Sequence, residues 1–308
     1  MSAGIAVVGS LNADLVVRVP SFPAPGETLT GSGFAVFPGG KGANQACAAG
    51  RLGARVEMVG RVGDDGHGRL LERSLVAAGV GTAGILRDAS AATGIALITL
   101  DASGQNQIVV VPGANARLSP ADVEAAAARI GSAGFVLLQL EVPLETVAAA
   151  ARLARRAGAV VILDPAPARP EARSLLHLAD YVTPNETELR CLAGDEGSDA
   201  PPPQLARELL ASGARHVVTK LGAHGARLVG GEAERVWPGI PVTAVDTTAA
   251  GDVWNGAFAT ALAAGEDPDR AGRFANAAAA LSVTRPGAQP GMPGRSEVEE
   301  LLQREEGR

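Results

Sequence analysis

Late in the chain stands the run Asp246-Thr247-Thr248-Ala249-Ala250-Gly251-Asp252, at the predicted start of a long Ala-rich helix near residue 251. Small residues at 249–251 let successive backbone N–H groups converge, and a helix N-terminus adds its dipole. Together they predict an anion pocket. Asp252 falls on the first turn with no evident partner. It is either a helix cap or a general base beside a bound phosphate, and an acid placed next to such a nest favours the base.

Gly39-Gly40-Lys41-Gly42-Ala43-Asn44 also opens a helix. The glycines permit close backbone approach, Lys41 adds a cation, and Asn44 both donates and accepts. That combination suits a polar ligand better than a plain turn. Asn12 and Asp14 follow the first strand, where open α/β sheets bind ligands, although both are also ordinary turn residues. Asn185 and Glu188 offer hard oxygens for Mg²⁺, and the same spacing is that of a capping box. Lys220-Leu221-Gly222 ends a strand on the presumed ligand side. Asp164 ends another, with turn and cleft roles equally open. Lys41 and Lys220 are the only lysines among 27 basic residues, so each is either a position that needs a compact ammonium or an accident of Arg-rich composition.

Short apolar runs at 4–10, 56–60, 134–140, 159–163 and 215–219 predict strands, and helical spacing recurs at 42–53, 66–78, 119–131, 143–157 and 202–212. This alternation predicts an α/β sheet with parallel connections. Residues 240–245 (IPVTAV) read as a further β-like run, and the chain is mostly helical from 251 onward. Two stretches, 15–37 and 93–111, alternate like β-strands with no helix between. They form either an accessory sheet or edges of the main one. No linker divides the chain.

Composition narrows the functions. With 308 residues, a net charge of −6 and 3% aromatics, the chain is no general polyanion binder and lacks a stacking surface for single strands. A phosphate must therefore be held by local devices. Two cysteines build no disulfide framework, Cys47 reads as core, and the four histidines lack metal-ligand spacing. Neither a signal peptide nor a membrane span is evident, so a soluble, cytoplasmic protein without nucleic-acid or membrane partners is expected. Gly79–Gly84 fits G-x-G-x-x-G but follows a helical stretch and runs into a strand, which argues against dinucleotide binding. A Walker A loop is also missing.

GGKGAN and DTTAAGD, with VVGSLNADLVVRVPSFPAPGETLTG, VGRVGDDGHG, VPGANARLSP, LQLEVP, DPAPAR, TPNETE and TRPGAQP, resemble the ribokinase-like sugar kinases from Val7 to about Pro293. The resemblance implies one doubly wound, mainly parallel α/β domain over 1–308, flanked by helices. A small β-sheet lid inserted at about 15–37 and 93–111 commonly mediates homodimerisation. It implies sugar contacts at Asn12, Asp14, Gly40, Lys41, Asn44 and Glu141, with Asp252 as base and Ala249, Ala250 and Gly251 as anion hole. Asn185 and Glu188 match the nucleotide and Mg²⁺ segment, and Lys220, Gly222 and Asn276 the nucleotide region. Asp246, Thr248, Ser282, Arg285, Gly287 and Gly291 match positions that hold a monovalent cation, K⁺, largely through carbonyls. Gly291 stands where the family often carries Ser, at the cost of one ligand. Val253 and Trp254 replace Thr-Phe as packing changes. The implied activity is ATP-dependent phosphorylation of D-ribose at O5. Deoxyribose, fructose, another ketose or a nucleoside remain alternative acceptors, and a non-catalytic sugar sensor is the reading from another class.

Overall fold

The computed structural model describes residues 3–307 apart from 196, 198 and 232; Met1 and Ser2 of the N-terminal stretch lie outside the described residues. Through the first third the elements are β1 (Ile5–Val8), β2 (Asn12–Arg18), β3 (Gly33–Gly39), α1 (Lys41–Arg51), β4 (Val56–Gly63), α2 (Gly66–Ala77), β5 (Val80–Asp88), β6 (Gly94–Leu100) and β7 (Asn106–Val111). There follow α3 (Pro120–Ala125), α4 (Ala127–Gly131), β8 (Phe135–Leu138), α5 (Leu144–Arg156), β9 (Val160–Leu163), β10 (Tyr181–Val182), α6 (Glu186–Ala193) and α7 (Pro202–Ala211). The chain ends with β11 (His216–Lys220), β12 (Gly225–Gly230), β13 (Ala233–Pro238), α8 (Ala250–Ala263), α9 (Pro268–Ser282) and α10 (Arg295–Glu306).

Nine strands form the main sheet in the order β13-β12-β11-β10-β9-β8-β1-β4-β5. From β5 to β11 every neighbouring pair is parallel, and β12 and β13 add an antiparallel edge. Central strands covered on both faces must be apolar throughout, and β1 is buried at all four positions. One core lies between the sheet and α1, α8 and α9; the other packs α5 and α7 on the opposite face. Strand order reverses at β1, which β8 and β4 flank. That is the switch point where open α/β sheets leave a crevice beyond the carboxyl ends.

Four strands, in the order β3-β2-β6-β7, form a second sheet separate from the first. Both of its faces carry exposed apolar side chains: Phe34, 67% accessible, Leu97, Val109, 60% accessible, and Val111 on one, Ile108 and Val110 on the other.

Three local expectations change. The helix read over 119–131 is two short helices that meet at Ala126, whose N–H is shared between the carbonyls of Asp122 and Val123. Residues 240–245 form no strand, because Pro241 lacks a ladder donor and the N–H groups of Val245 and Asp246 both turn to the Val283 carbonyl, at 2.7 and 3.1 Å. The antiparallel edge comes instead from β12 and β13, which the apolar runs did not announce. Gly79, at φ 78°, closes α2 and leads into β5, as expected of a helix stop. No helix among the described residues is long and apolar enough to cross a membrane.

Candidate active site

Each strand around the switch point delivers a polar residue just past its carboxyl end. Ser10 and Asn12 follow β1, Gln139 and Glu141 follow β8, Asp164 follows β9, Asn185 follows β10, and Lys220 ends β11. Against this row lie the N-termini of α1 and α8.

The α1 terminus is shaped by Gly40. Its φ is 88°, and a Cβ there would lie 2.6 Å from the Asn12 nitrogen, so the turn packs directly on the connection after β1. The exposed amides of this helix start meet a carboxylate: Glu141 Oε2 accepts from Lys41 N at 3.0 Å, Ser10 Oγ at 2.5 Å and Asn12 Nδ2 at 3.4 Å. Asn115 braces the same corner. Its Oδ1 accepts from Leu11 N at 2.9 Å, and its Nδ2 donates to Asn12 Oδ1 at 2.7 Å. Asp14 lies close by; burial, with the charges of Glu141 and Asp252, pushes its pKa up to about 7. Burial alone would lower Lys41, but Asp252, Asp164, Glu141 and Glu188 outweigh it and hold the ammonium above its ordinary value.

Asp252, 5% accessible, occupies the first turn of α8. Its Oδ2 accepts from Asn44 Nδ2 at 3.1 Å and its Oδ1 from Gln45 Nε2 at 3.1 Å. Burial raises its pKa to about 6, with Lys41 opposing that rise and Asp164 adding to it. Ala249, just before α8, sits at φ 61°, a left-handed conformation that costs a non-glycine residue roughly 1–2 kcal/mol. The Ala250 N–H donates to the Thr247 carbonyl at 3.2 Å and closes this turn, so that member of the expected anion hole is not free, while Gly251 follows at the start of α8. Lys220 reaches the same spot: a Cβ on Gly251 would be 3.4 Å from its Nζ, which also pairs with Asp164 Oδ1 at 2.9 Å.

Beside this helix start opens a cavity of about 450 Å³. Lys220, Gly251 and Ala250 line one part; Ile240, Pro241, Val242, Ala279, Ala280 and Val283 make the remainder apolar, and Gly222 is at its rim. Asn276 also borders it, but its amide is engaged within the protein. Nδ2 donates to the carbonyls of Trp237 and Pro238 at 2.8 and 3.0 Å, and Oδ1 accepts from Trp254 Nε1 at 2.8 Å. Trp254 is thus more than the packing change expected, since its indole fixes the cavity wall.

Asn185 and Glu188 form the capping box in full. Glu188 Oε2 accepts from Asn185 N at 2.8 Å, and Asn185 Oδ1 accepts from Glu188 N at 2.8 Å. Neither lines the cavity, yet Asn185 bridges to Lys220 through the backbone. A carboxylate oxygen keeps a free lone pair after one such bond, so Glu188 still fits an Mg²⁺ that arrives on phosphates. No group of three or more His, Cys, Asp or Glu among the described residues makes a metal cluster by itself.

The expected cation positions gather in two neighbouring loops. Asp246 accepts from Thr248 N and Oγ1 at 2.9 and 2.6 Å and from Gly287 N at 2.8 Å, which staples the loops together. Around Gly291, an added Cβ would meet the carbonyl oxygens of Gly287, Ser282 and Arg285 at 2.7, 3.1 and 3.3 Å. Three converging carbonyls suit a large monovalent ion, and the side chain that Gly291 lacks would crowd them. Arg285 offers only its backbone here, because its guanidinium pairs with Glu297.

Sequence reasoning missed Gln45, Asn115 and Gln139, and left Asp164 undecided. Gln45 had a signal, since it directly follows Asn44 on a helix start already singled out.

An apolar recess with a cationic end at the start of the helix whose first turn carries a buried acid defines a phosphotransferase site for a small polar acceptor. Residues 2–295 match the model of the pfkB family of carbohydrate kinases. The chain is 46% identical over 298 residues to the ribokinase of Bacillus subtilis, spanning 97% of this chain and 99% of the relative. It is 42% identical over 304 residues to the ribokinase of Haemophilus influenzae, spanning 98% and 99%. The structure of Arabidopsis thaliana ribokinase complexed with ribose and ATP matches with a TM-score of 0.91 at 37% identity, over 98% of this chain and 99% of that one. This chain belongs to the pfkB family and is a sugar kinase.

Proposed function

We propose that the protein transfers the γ-phosphoryl group of ATP to O5 of D-ribose, with Asp252 as general base. The observation that carries this reading is the buried Asp252 carboxylate, held by Asn44 and Gln45 between the starts of two helices, beside Lys41 and the 249–251 turn. The similarity to ribokinases, one of them complexed with ribose and ATP, supports ribose as the acceptor.

Phosphoryl transfer asks mostly for positioning and charge neutralisation. Asn12, Asp14, Lys41, Asn44 and Glu141 hold the sugar hydroxyls. As O5 attacks the γ-phosphorus, its proton passes to Asp252, the bond from phosphorus to the β–γ bridging oxygen breaks, and ADP leaves. With a pKa of about 6, Asp252 is ionised at neutral pH and near the range where a base works best, a role contributing about 10²–10⁴-fold. The Gly251 amide at the start of α8 and the Lys220 ammonium face the charge that develops; loss of one comparable donor costs roughly 3–4 kcal/mol. Glu188 would hold Mg²⁺, which would add neutralisation at the phosphates. The carbonyls of Ser282, Arg285 and Gly287 would hold K⁺, whose charge would support the loop that Asp246 staples.

The exposed apolar surface of the second sheet supports two further parts of the reading: that this sheet is a lid within one domain, and that the lid pairs two copies into a homodimer. Cys47 and Cys191 are unbridged, which agrees with a cytoplasmic enzyme.

The test is Asp252→Asn, assayed with ATP, Mg²⁺, K⁺ and ribose beside deoxyribose and fructose. Loss of at least a hundredfold in kcat, with ribose the best acceptor for the unaltered enzyme, is expected. Activity within tenfold of the unaltered enzyme refutes the base. Replacement of K⁺ by Na⁺ is expected to slow turnover, and an unchanged rate refutes the cation assignment.

A further inference from the structure

One wholly buried side chain stands between the base and the Lys220–Asp164 pair, and the reaction as described gives it no role. Gln45 Nε2 donates to Asp164 Oδ2 at 2.9 Å and to Asp252 Oδ1 at 3.1 Å, which uses both of its hydrogens. Gln45 Oε1 accepts from Gln139 Nε2 at 2.6 Å. The direction of this chain is forced. Two ionised carboxylates only accept, so Gln45 must present its nitrogen to them. Its carbonyl then needs a donor, so Gln139 must present its nitrogen in turn.

The consequence is an orphan. Gln139 Oε1 is buried and has no hydrogen-bond partner among the described residues, pressed toward Gly9, where an added Cβ would meet it at 2.0 Å. A buried acceptor left unpaired loses its hydration without a replacement bond, and an apolar side chain of similar shape avoids that cost. Two amides kept at such a cost, directly beneath the reacting groups, point to a role beyond packing.

We infer that Gln45, oriented by Gln139, is a positioning residue for phosphoryl transfer: it sets the rotation of the Asp252 carboxylate and ties the base to the Lys220–Asp164 ion pair. The inference rests on the reading of Asp252 as base. Asn44 holds one carboxylate oxygen and Gln45 the other, so rotation about Cβ–Cγ is fixed only while both amides donate. The same nitrogen that grips the base grips Asp164, whose other oxygen holds the ammonium beside Gly251. Acceptor side and donor side are thereby joined through one NH₂ group.

Loss of that group has separable effects. Asp252 would lose a bond to its charged form, so its pKa should rise. The other groups facing it are Lys41 and Asn44 on α1, Asp14 on β2, and Asp164 after β9, which loses the same amide but keeps its partner Lys220. The carboxylate would turn freely, so kcat should fall. Among the described residues no side-chain hydrogen bond joins Asn12, Asp14, Lys41 or Glu141 to either glutamine, and Asn44 keeps its own bond to Asp252, so the KM for the sugar should stay nearly constant.

The experiment compares Gln45→Met and Gln139→Met with the unaltered enzyme and with Asp252→Asn, using ATP, Mg²⁺ and ribose across pH 5–9. For Gln45→Met, kcat is expected to fall about 10–100-fold while the ribose KM changes less than about threefold. The acid limb of the pH profile is expected to move upward by roughly half a unit or more. Gln139→Met, which leaves the Gln45 nitrogen in place but unguided, should move the limb the same way by less. A drop in kcat with an unmoved acid limb marks a packing role and overturns the inference, as does kcat within threefold of the unaltered enzyme. Should circular dichroism show Gln45→Met unfolded, Gln139→Met decides by the same acid limb. Full activity in Asp252→Asn refutes the base reading itself; an inactive Asp252→Asn with an unmoved limb in both glutamine variants refutes only the role of Gln45.

Discussion

Asn44 Nδ2 lies 3.1 Å from Asp252 Oδ2, although 208 positions separate the two residues in the chain. The bond joins the start of α1 to the start of α8, so two positive helix ends converge on one carboxylate. Burial still prevails over both, since the acid stays above its ordinary value at about 6. Activity should depend on pH accordingly. Only ionised Asp252 accepts the hydroxyl proton, so kcat/KM is expected to fall as pH drops through about 6. An initial-rate profile from pH 5 to 8 checks this, and a flat profile across that range contradicts it.

Asp14 carries a related consequence for stability. Its folded pKa of about 7 exceeds the ordinary carboxylate value because of burial first, then Glu141 and Asp252. The folded state therefore holds this proton longer than the unfolded chain does. The stabilisation is fully present below about pH 4 and is lost as pH rises through about 7. Asp14→Asn removes that loss. Its Tm without ligand is expected to exceed that of the unaltered protein at pH 8, with the gap closing at pH 4. Thermal melts at the two pH values decide, and an equal gap at both contradicts the assignment.

Lys220 and Asp164 are a buried pair, with side chains 12% and 2% accessible. Removal of one partner strands the other, a change that costs about 3–5 kcal/mol elsewhere. Lys220→Met is expected to lower Tm and to cut kcat/KM for ATP by about a hundredfold, because the ammonium also faces the Gly251 turn. Equilibrium binding of ribose, measured by calorimetry, should change little. A selective loss of ribose affinity would place Lys220 on the wrong side of the reaction.

On the second sheet, Ile108 and Val110 stand in the open at 51% and 46% accessibility. A pair of copies that buries this surface should not survive a charge in it. Ile108→Arg with Val110→Arg is expected to convert a dimer into a monomer in sedimentation velocity, with kcat retained in part. An unchanged sedimentation coefficient excludes this face as the interface.

Much of this arrangement is legible in the residues alone. GGKGAN and DTTAAGD announce themselves because small residues before a helix have few uses other than close approach, and the row of apolar runs gives the parallel sheet. What stayed hidden has physical causes. Gln45 and Gln139 sit in ordinary helix and strand-end contexts, and their pairing across 94 positions is a tertiary fact without a local pattern. Residues 240–245 have strand-like composition, but Pro241 has no N–H and the Val245 amide is claimed by Val283 at the end of α9, which no window of sequence reveals. Asn276 lies in the expected place, yet its hydrogens are taken by Trp237 and Pro238 because Trp254 orients it. Glu188 fitted both a cap and a metal ligand, since one geometry serves both.

Because neighbouring strands each hand over a single polar residue at the switch point, no contiguous fragment contains a working centre. A half-assembled sheet has every reagent on hand and none within reach of another. Turnover should therefore return last during refolding, after helix content and fluorescence have recovered, and the enzyme's own catalysis serves as a report that the whole sheet has closed ranks.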